Sequence, residues 1–280
     1  MNMALKLSFD FDEVTKKQFD FFAQLIFSFT GIHLPDNEKN YSLLNNRLRK
    51  VLRSNGLNDF ENLMEAMNGI PSATLKEDFI NCLTTNKTNF FREKEHYNRL
   101  GDLLKEQMKG KNPIYMWSSA SSTGQEAYSL AIYLYETFKA ENFDRFKILA
   151  TDIDTEVLKI GAEGFYQENQ MDGLSLSQVT NHFDNVANLF SVKEHIKGKV
   201  HFSQLNLFQQ PYPINKKFDV IFCRNVLIYF KAEDRLKVCN NLMNYLNTGG
   251  LLILGLSEAG SVQLNNVENL GNSTYRKTKS

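Results

Sequence analysis

The sequence has 280 residues, 42% of them apolar with 22 Phe and 11 Tyr, enough to bury one large core, or one large core and a smaller helical one. Its 32 basic and 32 acidic residues cancel, which excludes a global field drawing the chain to nucleic acid or a membrane and leaves only local charge recognition. Three well-separated cysteines (Cys82, Cys223, Cys239) read as buried free thiols of a cytosolic protein, and five histidines without ligand spacing (His33, His96, His182, His195, His201) argue against a metal site.

The chain opens with MNMALKLSFDF, whose single Lys and short apolar run do not make a signal peptide, and no stretch approaches about 18 apolar residues. A soluble cytoplasmic protein is expected. From Phe9 to about Asn81 the pattern is helical, with Phe19, Phe22, Leu25, Ile26 and Phe29 on one stripe that Gly31 ends. Within it, 41–58 carries Arg47, Arg49, Lys50 and Arg53 and no acid. Leu44, Leu48, Val51 and Leu52 share one helical face, and Arg49, Lys50 and Arg53 lie on the opposite arc. Such an arc is either solvated surface or a docking face for an acidic partner.

LTTNKTNFFRE, residues 83–93, is too rich in cap-prone residues for a helix interior and reads as a linker or a helix start at a domain junction. Arg92, beside two Phe residues, is either a surface cation–π contact or an orienting cation in a dry cleft. PIYMWSSASSTGQEAYSL follows, at 113–130: a short strand, a turn of small residues ending in Gly124, and a helix. Small residues before a helix N-terminus let a ligand approach bare N–H groups, although an ordinary βα loop with a Ser/Thr cap has the same composition.

A second strand, Lys147 to Ala150, runs into Thr151-Asp152-Ile153-Asp154, where a βαβ unit commonly holds a nucleoside ribose. Between Phe165 and Phe202 the βα rhythm breaks, which suggests a small inserted subdomain. FDVIFC, 218–223, is a third buried strand, followed by RNVLIYF and a helix to about Leu246. Asn247-Thr248-Gly249-Gly250 then turns into a strand over 251–256. The alternation predicts a doubly wound, mostly parallel α/β sheet.

A dinucleotide enzyme would show G-x-G-x-x-G after the first strand, but Gly124 is the only glycine in that turn. A ligand with one ribose, no phosphate and an amino-acid end suits the residues better, with Glu126 meeting its ammonium group and Asp152 its ribose hydroxyls. That ligand is S-adenosylmethionine.

Taken together and in order, LTTNKTNFFRE, WSSASSTGQEAYS, ATDIDTEVL, QLNLF, FDVIFCRNVLIYF and GLSEAG resemble the CheR family of chemotaxis receptor glutamate methyltransferases. The resemblance spans roughly residues 15 to 277, with Gln125 and Ala127 where the family more often has an acid and a proline. It implies a class I, Rossmann-like methyltransferase domain over 86–280, an all-α domain over 1–85, and a β-subdomain inserted at about 165–202. It implies cofactor contacts from Asn86, Thr88, Arg92, Glu126, Asp152, Asn206, Leu207, Asn225 and Val226. S-adenosylmethionine would be the donor and S-adenosylhomocysteine the product, without a metal.

The implied partners are the cytoplasmic helices of methyl-accepting chemotaxis receptors, met by a monomer that neither binds nucleic acid nor inserts into a membrane. Arg92 and Tyr229 are the candidates for orienting the acceptor carboxylate, and Arg49, Lys50 and Arg53 for guiding an acidic receptor helix. Methyltransferases acting on planar nitrogen carry an Asn/Asp-Pro-Pro-aromatic turn, whereas here Asn225 is followed by Val226-Leu227-Ile228. The other alternative, a non-catalytic S-adenosylmethionine-binding signalling module, would be favoured by loss of Arg92, Asp152 or Tyr229, and all are present. Residues 181–202 are compact, with Gly198 as their one glycine, and lack the glycine-containing loop extension of tail-binding relatives, which predicts independence from a receptor tail.

Overall fold

The computed structural model describes residues 13–107 and 110–279, so the expectations for MNMALKLSFDF and for a helical pattern starting at Phe9 lie outside the described residues. The chain divides into two compact units, Met1–Thr84 and Thr85–Ser280.

The first unit is a bundle of α1 (Lys16–Thr30), α2 (Glu38–Ser54), α3 (Phe60–Met67) and α4 (Ala73–Leu83). Thr15 and Gln18 form a reciprocal capping box at the start of α1, and Gly31, at φ 77°, ends it in the left-handed conformation that lacks a Cβ penalty. The apolar stripes meet inside: Phe19, Phe22 and Ile26 of α1 pack with Leu44, Leu48, Val51 and Leu52 of α2, and with Phe79 of α4. On α2, Lys50 and Arg53 are exposed, but Arg49 is half-buried, so the basic arc is less uniformly solvated than the helical wheel suggests. Arg47 is turned to another task, donating to the carbonyls of Cys82, at 3.3 Å, and Thr84 at the end of α4. Cys223 and Cys239 are buried free thiols, whereas Cys82 is only half-buried.

The second unit begins with α5 (Glu95–Gln107), β1 (Ile114–Ser118), α6 (Gln125–Phe143), β2 (Phe146–Asp152) and α7 (Thr155–Glu163). After these come β3 (Phe165–Tyr166), α8 (Leu176–His182), β4 (Phe183–Val186), β5 (Leu189–Val192), α9 (Glu194–Lys197) and β6 (Val200–Gln204). β7 (Phe218–Cys223), α10 (Ala232–Asn244), β8 (Leu246–Leu254), β9 (Val267–Asn269) and β10 (Thr274–Lys277) complete it.

The main sheet has the order β6-β2-β1-β7-β8-β10-β9. Its first five members are parallel, β10 runs antiparallel to β8, and β9 antiparallel to β10. β7 is buried at every position, as a strand covered on both faces must be. One cluster, including Tyr128, Phe146 and Phe222, fills one side of the sheet, and another around Trp117, Phe218 and Leu242 fills the other.

Three expectations about element bounds are corrected. The irregular stretch 165–202 contains a separate antiparallel sheet of order β3-β5-β4, but its last residues enter β6, the edge strand of the main sheet. The helix expected to reach Leu246 ends at Asn244. Asn247 to Gly250 is not a turn before a strand but a bulge within β8, where the register against β7 shifts between Phe218 and Val220. Among the described residues no helix is long and apolar enough to cross a membrane.

Candidate active site

The order of strands reverses between β1 and β7, so their carboxyl ends flank the crevice where open α/β sheets hold ligands. The turn after β1 is tied to its neighbour: Ser119 donates from N and Oγ to the Phe222 carbonyl at 2.8 and 2.9 Å. Gly124 opens α6 at φ 93°, and a Cβ there would lie 3.0 Å from the Phe202 ring and 3.1 Å from both Gly161 Cα and Tyr166 Oη. Conformation and space therefore both demand glycine.

Asp152 ends β2 at 9% exposure. Its Oδ2 accepts from Ser122 N at 2.8 Å and its Oδ1 from Asp154 N at 3.1 Å. Burial pushes its carboxyl up to about 6, and the backbone donors of Asp154 and Ser122 only partly oppose this. Ser122, held at φ 49°, also donates from Oγ to Asn86 O at 3.0 Å, and Asn86 Nδ2 donates to Asp154 Oδ2 at 2.7 Å. The linker is thus clamped beside the end of β2. Each Asp152 oxygen retains acceptor capacity, which suits a vicinal diol.

The second cluster is built on Arg224, just past β7, with 4% exposure. Its Nη1 donates to Glu126 Oε2 at 3.2 Å, its Nη2 to Glu93 Oε2 at 3.0 Å, and its Nη2 also to the Arg92 carbonyl. Ser118 Oγ donates to Glu126 Oε1 at 2.6 Å. Burial outweighs Arg224 and Ser118 at Glu126, so that carboxyl titrates above the ordinary value. At Glu93 burial also acts upward, but Arg224 and Asn225 outweigh it and hold the carboxyl low. Glu93 Oε1 accepts from Asn225 Nδ2 at 3.2 Å and from Leu256 N at 3.3 Å. A third carboxylate, Glu258, takes Asn225 N at 2.8 Å, Gly255 N at 2.9 Å and Ile228 N at 3.3 Å.

Of the residues singled out in the sequence, Asn86 and Asp152 are joined through Ser122, and Glu126 and Asn225 through Arg224 and Glu93. Arg92 is half-buried, and its Nη1 donates to Lys87 O at 3.0 Å. Thr88 lies between them on the same coil. Asn206 follows β6 and caps Phe208 N at 2.9 Å, next to Leu205, whose N donates to Asp152 O at 2.9 Å. Leu207 is buried in the second core cluster. Val226 and Tyr229 are half-buried, and Tyr229 closes a short 3-10 turn after β7. Arg49, Lys50 and Arg53 belong to the other unit.

Sequence reasoning gave no role to Glu93, Arg224 or Glu258, although each stands in a quoted motif. The available signal was a charge set against apolar sequence, as with Arg224 directly after FDVIFC, because a buried charge has to be paired. His182 and His195 were also read as unrelated. Their rings meet at 3.0 Å, with Glu136 Oε1 3.4 Å from the other nitrogen of His182.

Residues 86–276 match the family described as CheR methyltransferase, SAM binding domain. A probable chemotaxis protein methyltransferase of Rhizobium etli is 37% identical over 264 residues, covering 91% of this chain and 97% of that protein. The chemotaxis protein methyltransferase of Escherichia coli K12 is 35% identical over 240 residues, covering 84% and 82%. That of Borreliella burgdorferi is 33% identical over 276 residues, covering 94% and 95%. With the motifs, the sheet order and relatives matched along nearly their whole length, the chain belongs to the CheR methyltransferase family.

Proposed function

We propose that this protein transfers a methyl group from S-adenosylmethionine to glutamate side-chain carboxylates of chemotaxis receptors, giving methyl esters. The observation that carries the reading is the pair of unlike carboxylates at the mouth of the sheet, Asp152 buried and Glu126 half-buried. Asp152 is held by backbone N–H groups, and Glu126 is balanced by Arg224. A diol suits the first and an ammonium group the second. Among the described residues Ser121 Oγ, buried in the turn after β1, has no hydrogen-bond partner, as expected of a turn built around a ligand. The printed names of the relatives support a chemotaxis substrate.

When bound, S-adenosylmethionine supplies the methyl group on a sulfonium cation. Asp152 would accept from the ribose hydroxyls and Glu126 would meet the ammonium end, while Asn86, Thr88, Arg92, Asn206, Leu207, Asn225 and Val226 would complete the binding surface. The acceptor carboxylate, with a reference pKa of about 4.3, is ionised at neutral pH, so no side chain has to take a proton from it. Its oxygen would take the methyl carbon while the carbon–sulfur bonding pair stayed on sulfur, so that the cofactor would leave as neutral-sulfur S-adenosylhomocysteine. Charge is neutralised in this step, so water exclusion and alignment carry the catalysis.

Arg92 and Tyr229 orient the acceptor. One N–H of Arg92 is already engaged by Lys87 O, which suits a light contact better than a bidentate grip that would blunt the nucleophile. His96 is no base: at 3% exposure, burial and then Arg224 push its imidazole down to about 4.

Incubation with labelled S-adenosylmethionine and receptor-bearing membranes tests the reading. Base-labile label on receptors is the expected result. Base-stable label, or no label on receptors, would overturn it.

A further inference from the structure

Large exposed aliphatic side chains are common singly on protein surfaces and need no explanation. Ile228 and Leu256, at 49% and 41% exposure, differ in how their backbones are held. Ile228 lies in the turn that ends at Tyr229, and Leu256 lies two residues beyond β8. Glu258, 1% exposed, takes Ile228 N on one oxygen, and Gly255 N and Asn225 N on the other. Leu256 N is fixed in turn by Glu93 Oε1. Amides bonded to one carboxylate stay within its span, so the two loops that carry Ile228 and Leu256 run side by side. Gly255 makes the approach possible, since a Cβ there would lie 2.5 Å from Glu258 Oε2 and 3.0 Å from Asn225 N. Buried Glu258 and half-buried Glu93 therefore fix the backbones of two adjoining loops, each carrying a water-facing aliphatic side chain, with Ile228 directly before Tyr229.

From this arrangement we infer that Ile228 and Leu256 form a preorganised apolar ledge that docks the acceptor helix beside its glutamate. The inference rests on the receptor-methylation reading above. The occupant is an amphipathic helix, because side chains three and four positions from an acceptor glutamate share its face and reach the surface next to Tyr229. Apolar contact there also removes water from around the ionised acceptor, the condition that a charge-neutralising transfer favours.

The test uses the full chain, labelled S-adenosylmethionine and receptor membranes, with initial rates measured across receptor concentration and S-adenosylhomocysteine affinity measured by calorimetry. Ile228→Ser and Leu256→Ser should each raise the receptor KM about fivefold, from partial loss of aliphatic burial, and the double variant more than tenfold. S-adenosylhomocysteine Kd should stay within about twofold, and Ile228→Val with Leu256→Met should restore the KM. An unchanged receptor KM in an active double variant overturns the ledge. So does a Kd that weakens in step with KM, since the loops would then serve the cofactor alone. Failure of the wild-type protein to label receptors at all overturns the methylation reading instead.

Discussion

Arg224 Nη1 lies 3.2 Å from Glu126 Oε2, joining the end of β7 to the first turn of α6 across 98 positions of the chain. The same guanidinium holds Glu93 at 3.0 Å, so one buried cation balances two carboxylates. Removing one partner of a buried pair leaves the others uncompensated, at a cost of about 3–5 kcal/mol. Arg224→Met is expected to lower the unfolding free energy from denaturant titration by that order, and Arg224→Met with Glu93→Gln should recover part of the loss. A carboxyl whose folded pKa is raised destabilises the fold above that pKa and is relieved as pH falls. Because Glu126 is already raised, the deficit of Arg224→Met should shrink as pH falls below neutrality; a deficit that does not change with pH would contradict this account.

Asp152 makes cofactor affinity depend on pH. Its carboxyl is pushed up to about 6, and hydroxyl donors favour the ionised form, so the bound pKa lies below the free one. S-adenosylhomocysteine affinity should therefore be level above about pH 6 and fall below it, by no more than tenfold per pH unit from this group. Asp152→Ala should weaken binding by about 1.5–3 kcal/mol and remove the part of the pH dependence that Asp152 causes. Calorimetry at pH 7.5, 6 and 5 checks both; an unchanged Kd in a folded variant would remove Asp152 from the site.

Legibility in the sequence followed the range of the interactions concerned. FDVIFC is apolar throughout and β7 is buried throughout, so composition and environment coincide. Glu126 and Asp152 stand out because a first helical turn and a strand end are local features. β6 was missed because VHFSQ runs along a sheet edge with His201, Ser203 and Gln204 exposed, and the start of β8 because Asn247 to Gly250 imitates a turn. The Arg224 network was out of reach for another reason. Its carboxylates stand 98 and 131 positions away, a pairing that no local pattern encodes.

On α2, exposed Lys50 and Arg53 and half-buried Arg49 are proposed to guide an acidic receptor helix. Exposed charges are screened over about 8 Å at physiological salt and act mainly on association. Replacing all three with Gln should raise the receptor KM several-fold at low salt, with less effect at high salt, and leave cofactor affinity alone. A receptor KM that does not move at low salt would reduce the arc to solvated surface.

The small sheet bears on whether a receptor tail is needed. A peptide that adds a strand requires an accessible edge and a connection that lets it approach. In this sheet β5 is central, and β3 and β4 are the edges. β4 and β5 are joined through Ala187 and Asn188, at φ 50° and 67°, a tight two-residue turn rather than a glycine-containing extension. An edge strand is therefore present, but its connecting loop is short. A tether would raise the local enzyme concentration without touching the acceptor, so its absence matters only when receptor is scarce. Methylation of a receptor lacking its last few residues, measured below KM, is expected to stay within about twofold of the intact receptor. A tenfold drop would place the tail on the edge of this sheet, and Asn185→Pro within β4, at a position whose N–H faces away from β5, should then abolish the difference by removing an outward backbone donor.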